Sequence, residues 1–548
     1  MDASNTRKRC NELKQYWSVR DRRFKEWYKL ITMVDELKQK GMESFVSNDP
    51  LSSFNLLRHM LAQKVPHRPP QEQLTVENDS AAAQLSSSFE LIWESIEANY
   101  RRRGREGWVW DLVGFILATG WYSVFAAIPP DGKRVIAEVW NPATVYPVWD
   151  DDMVECAHID TLSKDAAARM ALRNAWSFDS KRGSSEQTLY DYWRQDELGK
   201  IHNTVLIGDQ LVKPETPEVR FDRIPIFVSP VGGLPDMGRI TGEKHTWKGQ
   251  VGMSSVSTNE QVYKSWNKWW TFNMQMLRDT VQARLIEKNR SGKPIVKPED
   301  LDRRGAIFRM TPDEDVYFLQ PPALPVEMRT TMLDMEAMMQ RGGPAWTMFG
   351  SVQGQMTAYV MSQIAASTEQ SAKPFHRGII HCLTDVDNFL LGMMKKHNYK
   401  PFDTELPKNL PPEMTLSAEY ELRIPGDLIQ RATVARMLNP NFEFSYSRVV
   451  EDVFPEIKNP IRERAKVRAD EAERHPVHAV IALINSLKKE AEELRKSGDK
   501  RAATLYDKAA EKAEALLEVQ EPTGLTGRGV IGNRTEAIPP EGTREAPM

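Results

Sequence analysis

The stretch "WVWDLVGFILATGWYSVFAAI", residues 108–128, decides what kind of chain this is. It carries one charge, Asp111, and is long enough to cross a bilayer, which takes about 20 apolar residues. Two features argue for a different reading. Gly120 interrupts the run, and the residues after it are aromatic and β-branched. The expectation is a buried helix to Thr119, a strand after Gly120, and a turn at Pro129, Pro130 and Gly132. A single span isolated in a polar chain is also a poor topology, so no membrane crossing is expected.

Working outward, the whole chain has the makeup of a protein with a real core. Its 548 residues are 41% hydrophobic and 27% charged, with a formal net charge of −3. That near-neutral balance excludes a globally basic nucleic-acid binder. Cys10, Cys156 and Cys382 lie far apart and form no CxxC pair, which argues against a disulfide framework or a thiolate zinc site and fits a reducing compartment. The first residues, "MDASNTRKRCNELKQYW", contain no apolar signal core.

Residues 1–40 carry eleven Lys/Arg against six Asp/Glu, with Trp17, Phe24, Trp27, Tyr28 and Ile31 near helical spacing. This segment reads as a basic helical arm, whose charge is either a solvated face or a contact surface. "NDPLSSFNLLRHML" then predicts a helix with Pro50 in its first turn. After Trp121 the signal turns to strands: "RVIAEVW", "TVYPVW", "TLYDYW", "NTVLIG" and "IPIFVSP", separated by Gly, Pro and Asp. An antiparallel sheet packed on helices is expected.

Farther on, helices are predicted over about 255–287, 326–341 and 357–397, with short strands in the Pro/Gly-broken piece between the first two. Met328, Met332, Met335 and Met339 form one stripe, most simply core filler. Pro374 sits inside the third helix and predicts a kink near Ala372, because proline lacks the amide and clashes with the carbonyl four residues back. Shorter helices are predicted over about 427–438 and 445–474. A charged helical hairpin follows over 475–520, turning at Ser497-Gly498, and then a Gly/Pro/Thr-rich tail.

Chemistry-bearing motifs are sparse. There is no GxxxxGK[ST], HExxH or GxSxG. "GSVQGQMT" has the wrong spacing and no lysine for a phosphate cradle. Asp150, Asp151 and Asp152 read as a solvated turn, with divalent-ion binding, as in a nuclease, the minor alternative. Asp385 and Asp387 stand two apart on a helix and face different ways. His376, His381 and Cys382 lack i, i+4 geometry for a metal. No catalytic residue, metal or cofactor is assigned, and the chain is not expected to be an enzyme.

The order of elements, carried by "NDPLSSFNLLRHML", "WDLVGFILATGWYSVF", "NPATVYPVWDDD", "IPIFVSPVGGLPDMGR", "SSVSTNEQVYKSWNKWW", "GPAWTMFGSVQGQMTAYVMSQIAAS" and "IPGDLIQRATVARMLNPNFEFSYSRVVEDVFP", resembles the portal proteins of tailed bacteriophages. The resemblance covers most of residues 40–475 and implies an α+β, mostly helical subunit with wing, stem, clip and crown, assembling as a dodecameric ring with a central channel. It implies a wing over 41–235 and 358–474, a loop and first stem helix over 236–287, a clip over 288–325 and a second stem helix over 326–342. A tunnel loop over 343–357, a crown hairpin over 475–520 and a flexible tail over 521–548 complete it.

By the same resemblance, Gly350, Ser351, Val352, Gln353, Gly354 and Gln355 face the DNA, and Lys288, Arg290, Lys293, Lys297, Arg303 and Arg304 form a basic clip rim. From Arg284 to Arg309 there are eight Lys/Arg against four acids, a rim facing motor or DNA, or simply a solvated loop. The implied partners are further copies of the chain, double-stranded DNA passing non-specifically, the terminase large subunit, head-tail adaptor and tail proteins, capsid protein and scaffold. The implied location is the virion, at a capsid vertex, after assembly in the host cytoplasm. An uncharged loop suits such a conduit, because each neutralised phosphate adds salt-sensitive affinity. The alternative is a structural adaptor or scaffold that binds partners through its C-terminal helices.

Overall fold

The N-terminal helices set the tone of the architecture. The computed structural model describes residues 2–38, 43–70, 73, 78–179, 185–235, 250–281, 285–290, 292–296, 309–318, 326–344, 358–420, 422, 464, 466–468, 476–497 and 500–518. Asp2 accepts the Asn5 amide at 2.8 Å and opens α1 (Ala3–Tyr16); α2 (Ser18–Ile31) follows directly. Their shared face buries Cys10, Leu13, Trp17, Phe24, Trp27 and Ile31. Trp17 meets Trp121 edge-on at 5.5 Å and donates its indole N–H to the Pro147 carbonyl at 3.0 Å. Arg20, only 3% exposed, lies over the Trp17 and Trp121 rings and donates to the Val145 carbonyl.

This corrects the expectation of an arm over residues 1–40. The excess cations look unpaired only in the local sequence, because several partners are remote: Arg9 grips Glu155 at 2.7 Å, and Arg7 reaches Asp209. Tyr28, expected on the stripe, is instead 59% exposed.

Next come α3 (Asp49–Leu61), the short strand β1 (His67–Arg68), α4 (Asp79–Arg102) and α5 (Trp108–Thr119). Glu97 on α4 caps α5 by accepting the Trp108 and Val109 amides. Gly120 ends α5 in the left-handed region at φ +67°, and β2 (Trp121–Ala127) starts at once. The deciding stretch is therefore the helix and strand its residues predict. No described helix is long and apolar enough to cross a membrane.

The strand region forms two antiparallel sheets. The strands are β3 (Ile136–Val139), β4 (Val145–Trp149), β5 (Met153–Ser163), β6 (Glu186–Gln195), β7 (Ile201–Ile207), β8 (Gln210–Pro217) and β9 (Ile226–Pro230), with α6 (Lys164–Arg173) between β5 and β6. One sheet runs β3-β2-β9; the other is a meander, β4-β5-β6-β7-β8. The meander's last strand is an edge whose Pro214 and Pro217 cannot donate to a further strand.

Two short strands, β10 (Leu234–Pro235) and β11 (Gln250–Val251), pair before α7 (Glu260–Val281). Strands β12 (Leu285–Lys288) and β13 (Asp315–Phe318) pair with each other, then α8 (Val326–Arg341), the 40-residue α9 (Ala358–His397) and β14 (Ser417–Ala418) follow. One continuous core holds residues from Cys10 to Leu422, including Phe375, Ile379, Leu383, Val386, Leu390 and Met394 of α9. The helix runs on through Pro374, which is exposed.

The chain divides into two units, Met1–Ile424 and Pro425–Met548. In the second, α10 (Pro476–Ser497) and α11 (Lys500–Glu518) pack through Ile484, Ala491, Ala503, Ala510 and Ala513. Alanines allow close backbone approach, and Arg495 and Asp507 pair across the hairpin. The helices expected over 427–438 and most of 445–474 lie outside the described residues, as does the tail.

One buried group makes the fold acid-sensitive. His158 on β5 stacks on Trp140 at 3.8 Å, and burial pushes its pKa down from 6.5 to about 3. The folded protein therefore keeps His158 neutral, while the unfolded chain takes up a proton below about pH 6.5. Stability from this group is full above that pH and falls by about 1.4 kcal/mol per unit as pH drops toward 3. His158→Phe keeps a stacking ring. Between pH 6.5 and 4.5 it is expected to lose about 2–3 kcal/mol less than the parent, read from urea midpoints. Parallel pH profiles for the two proteins would contradict this.

Candidate functional site

The polar groups of the "SSVSTN" turn position the next element. Ser254 donates its hydroxyl to the Leu117 carbonyl at 2.8 Å, tying the turn to the end of α5. Asn259, 3% exposed, donates from Nδ2 to the Met339 carbonyl at 2.9 Å. Asn259 stands at the start of α7 and Met339 near the end of α8, so the two helices run antiparallel. Gly342 is required here, since a Cβ would sit 2.0 Å from Asn259 Oδ1. On α8, Met328 and Met339 are buried and Met332 and Met335 half-buried, which makes the methionine stripe the packed face.

Helix α7 is fastened along one side. Glu260 accepts the Trp27 indole at 2.9 Å, Asn267 accepts the Ser47 amide at 2.9 Å, and Thr271 accepts the Phe45 amide at 3.1 Å. Beyond Thr271 the helix exposes Phe272 and Leu277, and α8 exposes Leu333 and Met338. The helix ends at Val281, not at the expected 287. Leu285–Lys288 is drawn into a ladder with Asp315–Phe318, where Leu285 faces Phe318 and Ile286 faces Tyr317. Cross-strand pairing overrides the local helical pattern.

At the end of that ribbon the basic residues sit on a braced turn. Asn289 Oδ1 accepts the Gly292 amide at 2.8 Å, with Gly292 at φ +66°. The Glu287 carboxylate accepts the Ile295 and Val296 amides at 2.8 and 2.9 Å, folding the loop back on the strand. Lys288, Arg290 and Lys293 stand exposed at this end of the ribbon, and Arg290 lies 3.5 Å from Asp313, itself exposed. Lys297, Arg303 and Arg304 lie outside the described residues, as do Gly350, Ser351, Val352, Gln353, Gly354 and Gln355.

The other candidates separate. Asp150, Asp151 and Asp152 form the exposed β4–β5 turn, closed by the Asp150 amide on the Asp152 carbonyl. Among the described residues, no group of three or more His, Cys, Asp or Glu could hold a metal ion. His376 packs edge-on against Tyr420, and burial pushes its pKa down. Cys382 is buried, which pushes its thiol well up. Asp387 is fully buried and binds His67 and Trp93, a polar cluster that sequence reasoning missed. Its partners lie about 300 residues away, so no local pattern points to them.

The chain matches no known family model and no curated protein. Among solved structures, it is similar to a chain of the neck of an empty gene transfer agent (GTA) particle, at 13% identity and a TM-score of 0.40, covering 74% of this chain and 90% of that one. A chain from the neck of a native particle gives 13% identity and a TM-score of 0.35, covering 74% and 99%. One from the virion of a native particle gives 13% and 0.38, covering 74% and 89%.

Proposed function

We propose that this chain is a portal-type subunit. Twelve copies form a ring at a capsid vertex, and double-stranded DNA passes through its axis during packaging, retention and ejection. The observation that carries the reading is the α7–ribbon–α8 arrangement. Two antiparallel helices, locked by Asn259 on Met339, hold a two-stranded ribbon with a basic turn, and α8 leads on to the long α9. This is the order of stem, clip and wing helix that the portal resemblance requires. In this reading Lys288, Arg290 and Lys293 meet the terminase large subunit and the tail adaptor as charged, solvent-facing groups. The uncharged loop from Gly350 to Gln355 lies beside moving DNA without holding it. Pro374 marks a kink in α9. The ring itself hydrolyses nothing.

The test is direct. Purified protein at high concentration is expected to form rings with an axial channel, seen by electron microscopy. Deleting Ser351–Gln355 is expected to leave the rings intact and lower the amount of DNA packaged or retained. A protein that stays monomeric under all conditions sinks the proposal; rings lost with the deletion would make the loop a structural connector. The adaptor reading, favoured only by Leu483 and Leu505 standing exposed on the C-terminal hairpin, predicts instead that residues 475–520 alone retain the main partner.

A further inference from the structure

Asp387 lies in the C-terminal half of α9 with 0% exposure, among Leu383, Val386, Leu390 and Leu391. One carboxylate oxygen is 2.5 Å from His67 Nδ1, and the other accepts the Trp93 indole N–H at 2.7 Å. The His67 ring lies flat against Trp93, 9° from parallel with centroids 5.2 Å apart. Three elements thus converge on one side chain: β1, α4 and α9. Around it, β14 is stitched to the same helix, with the Asn388 side chain bonding both the N–H and C=O of Leu416 and Thr384 accepting the Ala418 amide.

Such a carboxylate is a poor way to gain stability. A buried polar cluster repays its desolvation only when its hydrogen bonds are well made, and apolar residues of similar volume are often as stabilising or more so. Its use in the middle of an apolar layer therefore favours a role other than strength. The surroundings supply one. His67, Trp93 and Leu383 also line a groove of about 840 Å³ between α4, α5 and residues 62–67. Its rim is wet, since the Lys64 and Glu94 side chains are 62% and 57% exposed. The polar cluster is packed by core on the α9 side and reaches this groove on the other.

We propose that Asp387, His67 and Trp93 form a releasable latch that fastens the C-terminal half of α9 to β1 and α4. It opens locally, by His67 turning into the groove, while the rest of the unit stays folded. Apolar packing would hold the same elements without a hydrogen bond to exchange. The inference does not depend on ring assembly.

Hydrogen exchange on the full chain tests it, with global stability measured in the same samples by urea unfolding. In the parent, amides of residues 67–68, 383–391 and 417–418 are expected to exchange through local opening, at a rate insensitive to low urea. The apolar double variant His67→Leu/Asp387→Leu is expected to slow that exchange at least tenfold and make it urea-dependent. Asp387→Asn keeps the shape but replaces one of the two acceptor oxygens that face His67 and Trp93 with an N–H₂ group, and is expected to speed it about tenfold. Parent exchange that already tracks global unfolding overturns the latch. So does exchange unchanged in both variants. Should the double variant fail to fold by circular dichroism, the parent urea dependence and Asp387→Asn decide alone.

Discussion

Gly120→Ala is expected to destabilise the N-terminal unit by more than about 3 kcal/mol, a large fraction of an ordinary domain's stability. Two costs add. The residue sits at φ +67°, where a Cβ costs about 1–2 kcal/mol. The added Cβ would also lie 2.4 Å from the Met253 nitrogen, 2.5 Å from its carbonyl carbon and 2.6 Å from its oxygen. That is backbone, which cannot swing aside as a long side chain can. Moving Met253 breaks its bond to the Val231 carbonyl, and Val231 in turn donates to Gly120 at 2.7 Å. Gly104→Ala is the control: φ is +76°, but nothing lies within 4 Å. It should cost only the conformational term. Urea unfolding followed by tryptophan fluorescence reads both, and equal losses would refute the close approach.

Trp17→Ala is expected to cost about 4 kcal/mol, in the range for emptying a large buried aromatic site. Trp17 is 1% exposed, touches Trp121 and Trp149, and carries the Arg20 guanidinium on its face at 4.6 Å. Its loss also removes the indole donor to the Pro147 carbonyl and one aromatic face from a buried cation. Tyr28→Ala, on the same two-helix segment but 59% exposed, should stay within about 0.5 kcal/mol. The contrast separates core helices from an arm. If Trp17→Ala unfolded at the parent's urea midpoint, residues 1–31 would be an appendage after all.

What was legible in the sequence was what local pattern encodes. Gly120 marked the end of α5 and the start of β2. Prediction and structure agree on α8 and, within a residue, on α9. Strand β5 escaped because "MVECAHIDTLS" mixes polar and apolar residues without clean alternation. Strand β8 escaped because two prolines disguise it as a loop. The excess charge of residues 1–40 misled for a different reason: salt-bridge partners such as Glu155 are set by tertiary structure. The Asp387 cluster was hidden likewise, while the grouping of Lys288, Arg290 and Lys293 came from the portal resemblance and their local charge excess, and only the structure shows what braces their turn.

The pairing of His67 with Asp387 also dictates an order of events in folding. The core is closed by contacts between residues 17 and 121, 93 and 387, and 67 and 418. During synthesis α4 and β1 must wait for partners made about 300 residues later, and α5 is only partly covered, by α2, α3 and β2, until α9 has emerged. Helices α7 and α8 and their ribbon, by contrast, contact one another within about 80 residues, although α7 is also fastened to Trp27, Phe45 and Ser47. The stretch between them is an insertion into an unfinished core, able to form its hairpin first. Contacts this far apart in sequence are the kind that slow folding, and α9, the last long helix of this unit, is synthesised after most of its partners.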